Sequence, residues 1–161
     1  ADASNWRAFD DVGRWWGLAG VGTHCLDLVR WIMMPAAGEV IEVKSLVSRS
    51  VWKGPHDETA LVMLRFESGA TAEIATSVLF NSETSVDVFG SKKSAACRGT
   101  LGPQGAGTIL FGDLDLPFTP VDPYRGEILD FRRAVREDRP PEVDGAEGLR
   151  NVEILLAADP R

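Results

Sequence analysis

Several strand-like segments joined by short turns occupy the middle of the chain, and they constrain its fold more than any other feature. From Val40 to Trp52 apolar and polar residues alternate, which predicts a strand with Ile41, Val43 and Val47 on one face. The stretch "TALVMLRFESGATAEIATSVLF" predicts a hairpin around Glu67-Ser68-Gly69-Ala70, and "TSVDVFG", "KSAACRG" and "TILFGDLDLP" predict further strands. Because parallel strands need long crossovers, these connections predict a mostly antiparallel sheet of about six strands.

Helical patterns flank the strands. Apolar residues recur at helical spacing over about 23–34, where Thr23 can cap the start and Pro35 is expected to stop the helix. Two more helices are predicted in "YRGEILDFRRAVRED" and "AEGLRNVEILLAAD". Their expected apolar positions are Ile128, Phe131 and Val135 in the first, and Leu149, Val152, Leu155 and Leu156 in the second. The order predicts an α+β fold with helices packed on one face of an open-faced sheet, whose other face is left for a partner.

Composition excludes several classes of function. The 161 residues are 44% hydrophobic and carry a formal net charge of −7, without the basic patch that nucleic-acid binding requires. No apolar run is long enough for a membrane span and the start does not resemble a signal peptide, so we expect a cytoplasmic protein. Cys25 and Cys97 are expected to be buried thiols. His24 and His56 lie too far apart in sequence to suggest a metal site.

Glycines precede the first predicted helix, at Gly17, Gly20 and Gly22. The segment lacks the third glycine of the dinucleotide fingerprint and does not follow a good strand, so a phosphate-binding role is disfavoured. Close packing of the backbone is the better explanation of Gly20 and Gly22. The acidic stretch "HDETA", His56–Ala60, is interpreted as a polar loop entering a strand rather than as a catalytic group.

Several of these segments together resemble one family. "GLAGVGTHCLDLVRW" is similar to the Asp-x-Gly-x-His-x-x-Asp segment of the glucose–fructose oxidoreductase, inositol dehydrogenase and MocA family. "DETALVMLRFESGATAEI" resembles that family's first long hairpin, and "PYRGEILDFRRAVREDRPPEVDGAEGLRNVEILLAA" resembles its closing helices.

The resemblance implies that residues 1–161 form a single substrate-binding and oligomerisation domain of an NAD(P)-dependent oxidoreductase. Such an enzyme transfers hydride between a nicotinamide cofactor and a sugar, polyol or related hydroxy compound. The Rossmann domain that binds NAD or NADP has no counterpart in this sequence, so the chain is expected to be part of something longer and inactive alone. The implied partners are a small-molecule substrate and further copies of the chain, bound through the sheet face. A non-catalytic binding or assembly module of the same fold, or an unrelated α+β scaffold, remains an alternative.

The resemblance also singles out His24. In the family an Asp and a His act together near the reacting hydroxyl, but here Gly20 stands at the Asp position and only His24 and Asp27 match. A histidine suits proton transfer at neutral pH, and the dipole of the predicted helix start favours an uncharged imidazole. Packing at a domain interface is the alternative for His24, and for Asp27 we favour a structural role. Further candidates for substrate contact are Arg7, Trp15, Trp16, Thr23 and Tyr124, with ordinary core packing equally open for the tryptophans.

Overall fold

Three α-helices, one π-helical segment and seven strands make up the part of the chain that the structure, a computed structural model, describes: residues 15–52 and 54–159. In chain order they are the π-helical segment Leu18–Gly22, α1 (Thr23–Ala37), β1 (Val40–Ser48), β2 (Thr59–Phe66), β3 (Thr71–Ser77), β4 (Ser85–Phe89), β5 (Ser94–Arg98), β6 (Thr108–Phe111), β7 (Leu114–Asp115), α2 (Pro123–Glu137) and α3 (Gly145–Ala158). The α+β class and the antiparallel pairing are confirmed. The strands form two sheets, β1-β2-β3 and β4-β5-β6-β7, because residues 78–84 pair with no strand.

These elements form two compact units. The first contains β1 to β3 with α1 and α3, and the second, Ser82–Asp144, contains β4 to β7 with α2. Whether the two units act together as one substrate-binding and oligomerisation domain, as expected from the sequence, stays a prediction. In the described ranges, no helix combines the length and the apolar character that crossing a bilayer would require.

Alternation in β2 decides which face of the first sheet is buried. Its side chains at positions 60, 62, 64 and 66 are buried, whereas those at 61, 63 and 65 are exposed on the other face. The buried set packs against α1 and α3, which therefore cover one face of this sheet as predicted. The core of the first unit consists of Leu18, Leu26, Ala37, Val40, Ala60, Val62, Leu64, Phe66, Ile74, Ile154, Leu155 and Ala158.

Strand β1 differs from the prediction at both ends. The register against β2 shifts between Val40 and Glu42, which leaves Ile41 as an extra residue of a bulge. Ile41 is therefore 61% exposed instead of sharing a buried face with Val43 and Val47. The strand also stops at Ser48 rather than continuing towards Trp52.

Helix α1 also departs from its predicted ends. Thr23 does not cap it, because the π-helical segment runs directly into it and supplies the preceding turn. Pro35 lies inside the last turn, where it removes one backbone hydrogen bond without ending the helix. The helix ends at Gly38, whose φ of +75° only glycine adopts readily.

The predicted apolar stripes of the closing helices are largely exposed. In α2, Ile128, Phe131 and Val135 do lie at helical spacing but face outward. In α3 the buried positions are 151, 154, 155 and 158, so of the predicted stripe only Leu155 is buried. The α3 prediction chose the wrong face because Asn151, a polar residue, lies at the centre of the buried one.

Candidate functional site

The Asp57 carboxylate fixes the backbone just before α1. Its side chain is fully buried, and its two oxygens accept hydrogen bonds from the N–H groups of Trp16 and Leu18, each at 2.7 Å. The hydroxyl of Thr76 in β3 donates to the carbonyl of Gly17 at 3.2 Å. A buried carboxylate is tolerated only with such partners, so this bonding ties the start of the π-helical segment firmly to the sheet.

The three glycines of this segment have different roles. A Cβ added at Gly17 would lie 2.7 Å from Asp57 Oδ2, so the carboxylate leaves no room for a side chain there. A Cβ at Gly22 would meet its neighbours at 3.4 Å, which agrees with the predicted close packing. For Gly20 that prediction is wrong, because the residue is exposed and its added Cβ would come no closer than 3.8 Å to another atom.

His24 lies in the first turn of α1 with an exposed side chain. Within the described ranges its imidazole makes no hydrogen bond or ion pair. The helical backbone begins before His24, at Gly17 and Leu18, where Asp57 binds the first N–H groups. His24 therefore does not occupy the free helix end on which the dipole argument depended. Thr23 is half-buried beside it.

Trp16 stacks on Trp52 rather than entering the core. The ring centroids are 5.0 Å apart and the rings are tilted by 34°. Trp52 lies in the segment between β1 and β2, and its N–H donates to Glu58 Oε1 at 2.5 Å, while the N–H of Val51 donates to Oε2 at 2.8 Å. Neighbouring buried carboxylates, Asp57 and Glu58, thus hold the backbones of both stacked residues.

Trp15 has a different environment. Its indole N–H donates to Asp159 Oδ2 at 3.1 Å, and its ring packs against the core of the first unit. Arg49 binds the same carboxylate oxygen at 2.7 Å. These contacts join the chain before α1 to the end of α3, so the geometry favours the packing alternative for Trp15.

Asp27 and Arg30 connect α1 to α3. Asp27 Oδ1 accepts from Asn151 Nδ2 at 2.8 Å, and Arg30, only 2% exposed, donates to Asn151 Oδ1 at 2.9 Å. Arg30 also pairs with Glu39 and Glu147, both at 2.8 Å. The geometry thus favours the structural role that we expected for Asp27.

Charge and burial compete at Glu39. Burial, the largest single influence, acts to raise the pKa of this carboxyl. Hydrogen bonds from Arg30 and the Val40 N–H, with the positive charges of Arg30 and Arg150, outweigh burial and bring the pKa below its ordinary 4.5. The ionised form of Glu39 is therefore the form that the folded protein favours.

The remaining candidates fall elsewhere. Tyr124 is exposed in the first turn of α2, in the second unit, and Arg7 lies outside the described residues. The cysteines are unpaired and half-buried, and burial raises the pKa of the Cys25 thiol. Among residues 15–52 and 54–159 no group of three His, Cys, Asp or Glu side chains is arranged to hold a metal ion.

Sequence reasoning missed Asp57, Glu58 and Trp52 as organisers of this region. A signal was present, since two adjacent carboxylates immediately precede a strand with strict alternation, which places them at the edge of the core. The stretch does enter a strand as predicted, but the sequence did not reveal that both carboxylates are buried and bind backbone N–H groups.

Comparison with known proteins relates the chain to one group of enzymes. Residues 1–96 match a family profile described as the GFO/IDH/MocA C-terminal domain. The myo-inositol 2-dehydrogenase of Thermotoga maritima is 30% identical over 144 residues, an alignment that covers 84% of this chain and 43% of that protein. The chain thus spans less than half the length of this curated relative.

Solved structures share the fold at lower identity. The aldose-aldose oxidoreductase from Caulobacter crescentus, solved in complex with glycerol, has a TM-score of 0.82 and 21% identity, covering 98% of this chain and 48% of that chain. The WlbA dehydrogenase from Bordetella pertussis, solved with NADH and UDP-GlcNAcA, has a TM-score of 0.71 and 23% identity, covering 98% and 46%.

Proposed function

Because this chain belongs to the GFO/IDH/MocA family, whose C-terminal domain its first 96 residues match, we propose that it supplies the substrate side of an NAD(P)-dependent oxidoreductase. The substrate class is a sugar, polyol or related hydroxy compound. The relative from Thermotoga maritima, whose name is that of a polyol dehydrogenase, supports this class. The observation that carries the proposal is the exposed imidazole of His24, at the position that matches the family's histidine.

In this proposal His24 handles the proton of the substrate hydroxyl. Oxidising a secondary alcohol to a ketone releases that proton, and histidine accepts protons near neutral pH. Since the His24 ring is exposed and makes no hydrogen bond within the described ranges, a substrate hydroxyl can reach it. His24 therefore orients the hydroxyl and accepts its proton.

The described residues do not fit the dinucleotide itself. The glycine-rich segment that starts at Gly17 is π-helical and does not follow a strand, unlike a dinucleotide-binding turn. The N–H groups at its start are bound to Asp57, where a phosphate would otherwise bind. We therefore propose that a domain outside this chain binds NAD or NADP, and we expect this chain alone to be inactive.

The proposal is tested by His24→Ala in the full-length protein that contains this chain. With myo-inositol and D-glucose as substrates and NAD⁺ or NADP⁺ as acceptor, kcat is expected to fall about 10²- to 10⁴-fold, while the Kd of the cofactor stays the same. Trp31→Ala, also exposed on α1, is the matched control and should keep wild-type turnover. Unchanged turnover in His24→Ala would exclude His24 from the chemistry.

Gly20 favours a second candidate function. The family resemblance implies an aspartate four residues before His24, and glycine supplies no carboxylate there. A binding or assembly module of the same fold, without catalysis, needs no such group. Saturable sugar binding without any turnover, with either cofactor, would select this second function.

We also propose that the chain forms homo-oligomers through the uncovered face of its first sheet. On this face Leu46 pairs with Leu61 and Lys44 with Met63, and the three apolar side chains are exposed. Arg65 and Glu42 form an ion pair beside them at 2.7 Å. An apolar strip with a charged border is typical of protein interfaces.

Light scattering coupled to size exclusion tests the interface. Leu61→Lys should lower the measured molar mass of the oligomer by the mass of at least one subunit, because two buried lysines would then face each other across the contact. Phe89→Lys, an exposed apolar position of the second sheet, is the control. An unchanged mass for Leu61→Lys would exclude this face as the interface.

A further inference from the structure

Two large aromatic side chains remain at the surface of the first unit although they stack on each other. Trp52 is 37% exposed and the neighbouring Val51 is exposed as well. The tilted stack with Trp16 covers part of one indole with the other, so apolar ring surface still faces solvent. Exposed rings that are also fixed in position are typical of ligand-binding surfaces.

The fold fixes the backbone that carries these rings at an energetic cost. Glu58 is 1% exposed, and burying a carboxylate is unfavourable unless hydrogen bonds compensate. Its two oxygens are used on the N–H groups of Val51 and Trp52, which belong to an exposed segment between strands. Asp57 does the same for Trp16. Asp57 also binds the N–H of the core residue Leu18, and the two carboxylates together fix the backbone that carries both indoles, as a preorganised binding site requires.

Gly20 keeps the space beside the Trp16 ring open. An added Cβ at Gly20 would lie 3.8 Å from Trp16 Cδ1, and no other described side chain comes within 4 Å of it. The N–H of Gly20 donates to the Trp16 carbonyl at 2.8 Å, so the two residues are one helical turn apart. His24 follows four residues later and is exposed. The Trp16 indole, the open space at Gly20 and the His24 imidazole thus follow one another at four-residue spacing along the chain that leads into α1.

We propose that Trp16 and Trp52 form a stacking platform for the C–H face of a six-membered sugar or cyclitol ring, beside His24. Such a ring has an apolar face of C–H groups and a rim of hydroxyls, which matches an aromatic surface next to an imidazole. Trp52 is thereby a substrate-binding residue, with Glu58 as its positioning residue. This inference rests on the proposed function, whose substrate class it narrows to cyclic compounds.

The test measures binding of myo-inositol and methyl β-D-glucopyranoside to the full-length protein by ligand-observed NMR titration. Trp52→Ala is expected to raise the Kd about tenfold, the loss of one stacking contact, whereas Trp52→Phe keeps a ring and stays within about threefold of wild type. Trp31→Ala, which removes an exposed indole of α1 outside the platform, should leave the Kd unchanged. Circular dichroism confirms that each variant is folded.

The outcomes separate the platform from the proposed function. Wild-type affinity in Trp52→Ala, or no binding of either probe to the wild type, overturns the platform. Oxidation of a cyclic substrate that Trp52→Ala does not affect leaves the proposed function intact and removes the platform. Binding that depends on Trp52, with no oxidation by NAD⁺ or NADP⁺, retains the platform and rejects the proposed function.

Discussion

Helix α1 has two sides that differ in how their polar groups are satisfied. On the buried side Arg30 is bound to three partners from the segment after the helix and from α3. On the exposed side His24 faces solvent, as does Gly20 in the π-helical segment before the helix, and the imidazole makes no bond within the described ranges. This difference indicates that the contacts on one side of the helix maintain the fold, so the side chains on the other side are free to contact a ligand. Replacing Arg30 on the first side should therefore cost stability, and replacing His24 on the second should cost activity.

Arg30→Ala is the strongest test of the buried side. It leaves Glu39 and Asn151 without their main partner. Because Arg30 is buried but the Glu39 side chain is 30% exposed, breaking this half-buried pair is expected to cost about 2 kcal/mol of unfolding free energy. Urea denaturation measures the loss. Arg65→Ala breaks the exposed pair with Glu42 and should cost less than Arg30→Ala, because water screens this pair. Equal losses in both variants would show that the contacts of Arg30 add no more stability than an exposed ion pair.

The glycines before α1 give effects of opposite sign. Gly17→Ala is expected to destabilise the protein by about 1–3 kcal/mol, because its Cβ would lie 2.7 Å from the buried Asp57 carboxylate. Gly20→Ala should stabilise it by about 0.5–1 kcal/mol, since alanine favours helix and the space is open. Thermal unfolding of the two variants distinguishes them, and a destabilised Gly20→Ala would show that the exposed side is packed after all.

Lowering the pH should destabilise the protein through Glu39, which binds Arg30 on the buried side of α1. Because folding lowers the pKa of Glu39, its ionised form contributes stability that is fully present above pH 4.5 and is lost as the pH falls through the folded value. In Glu39→Gln the free energy of unfolding should therefore fall less steeply with decreasing pH than in the wild type. The midpoint of urea denaturation, measured from pH 7 to pH 3, checks this. The exposed Glu73→Gln, which has no ion pair among the described residues, serves as the control and should keep the wild-type slope.

The fold was largely predictable because its signals are local. The hairpin at Glu67–Ala70 and strict alternation in β2 follow from spacing alone. The bulge at Ile41 was not predictable, because it depends on the pairing register with β2. The buried face of α3 was also missed, since Asn151 lies at its centre and is satisfied only by Asp27 and Arg30 from another helix.

The candidate site was predictable only in part. His24 could be singled out from its position in a resembling segment, and its exposure agrees with a role there. The stack of Trp16 on Trp52 could not, because distant stretches of chain come together only through the backbone bonds of Asp57 and Glu58. Likewise, no spacing rule distinguishes an open Gly20 from a crowded Gly17.

The π-helical segment Leu18–Gly22 determines how the residues before α1 are rotated relative to the helix. A π-turn amounts to an α-helix with one inserted residue. Deleting a residue there would restore regular α geometry and rotate everything upstream by about 100° around the helix axis. In the proposed platform the Trp16 indole would then rotate away from the His24 imidazole, so a one-residue change of length would alter ligand binding without replacing either side chain.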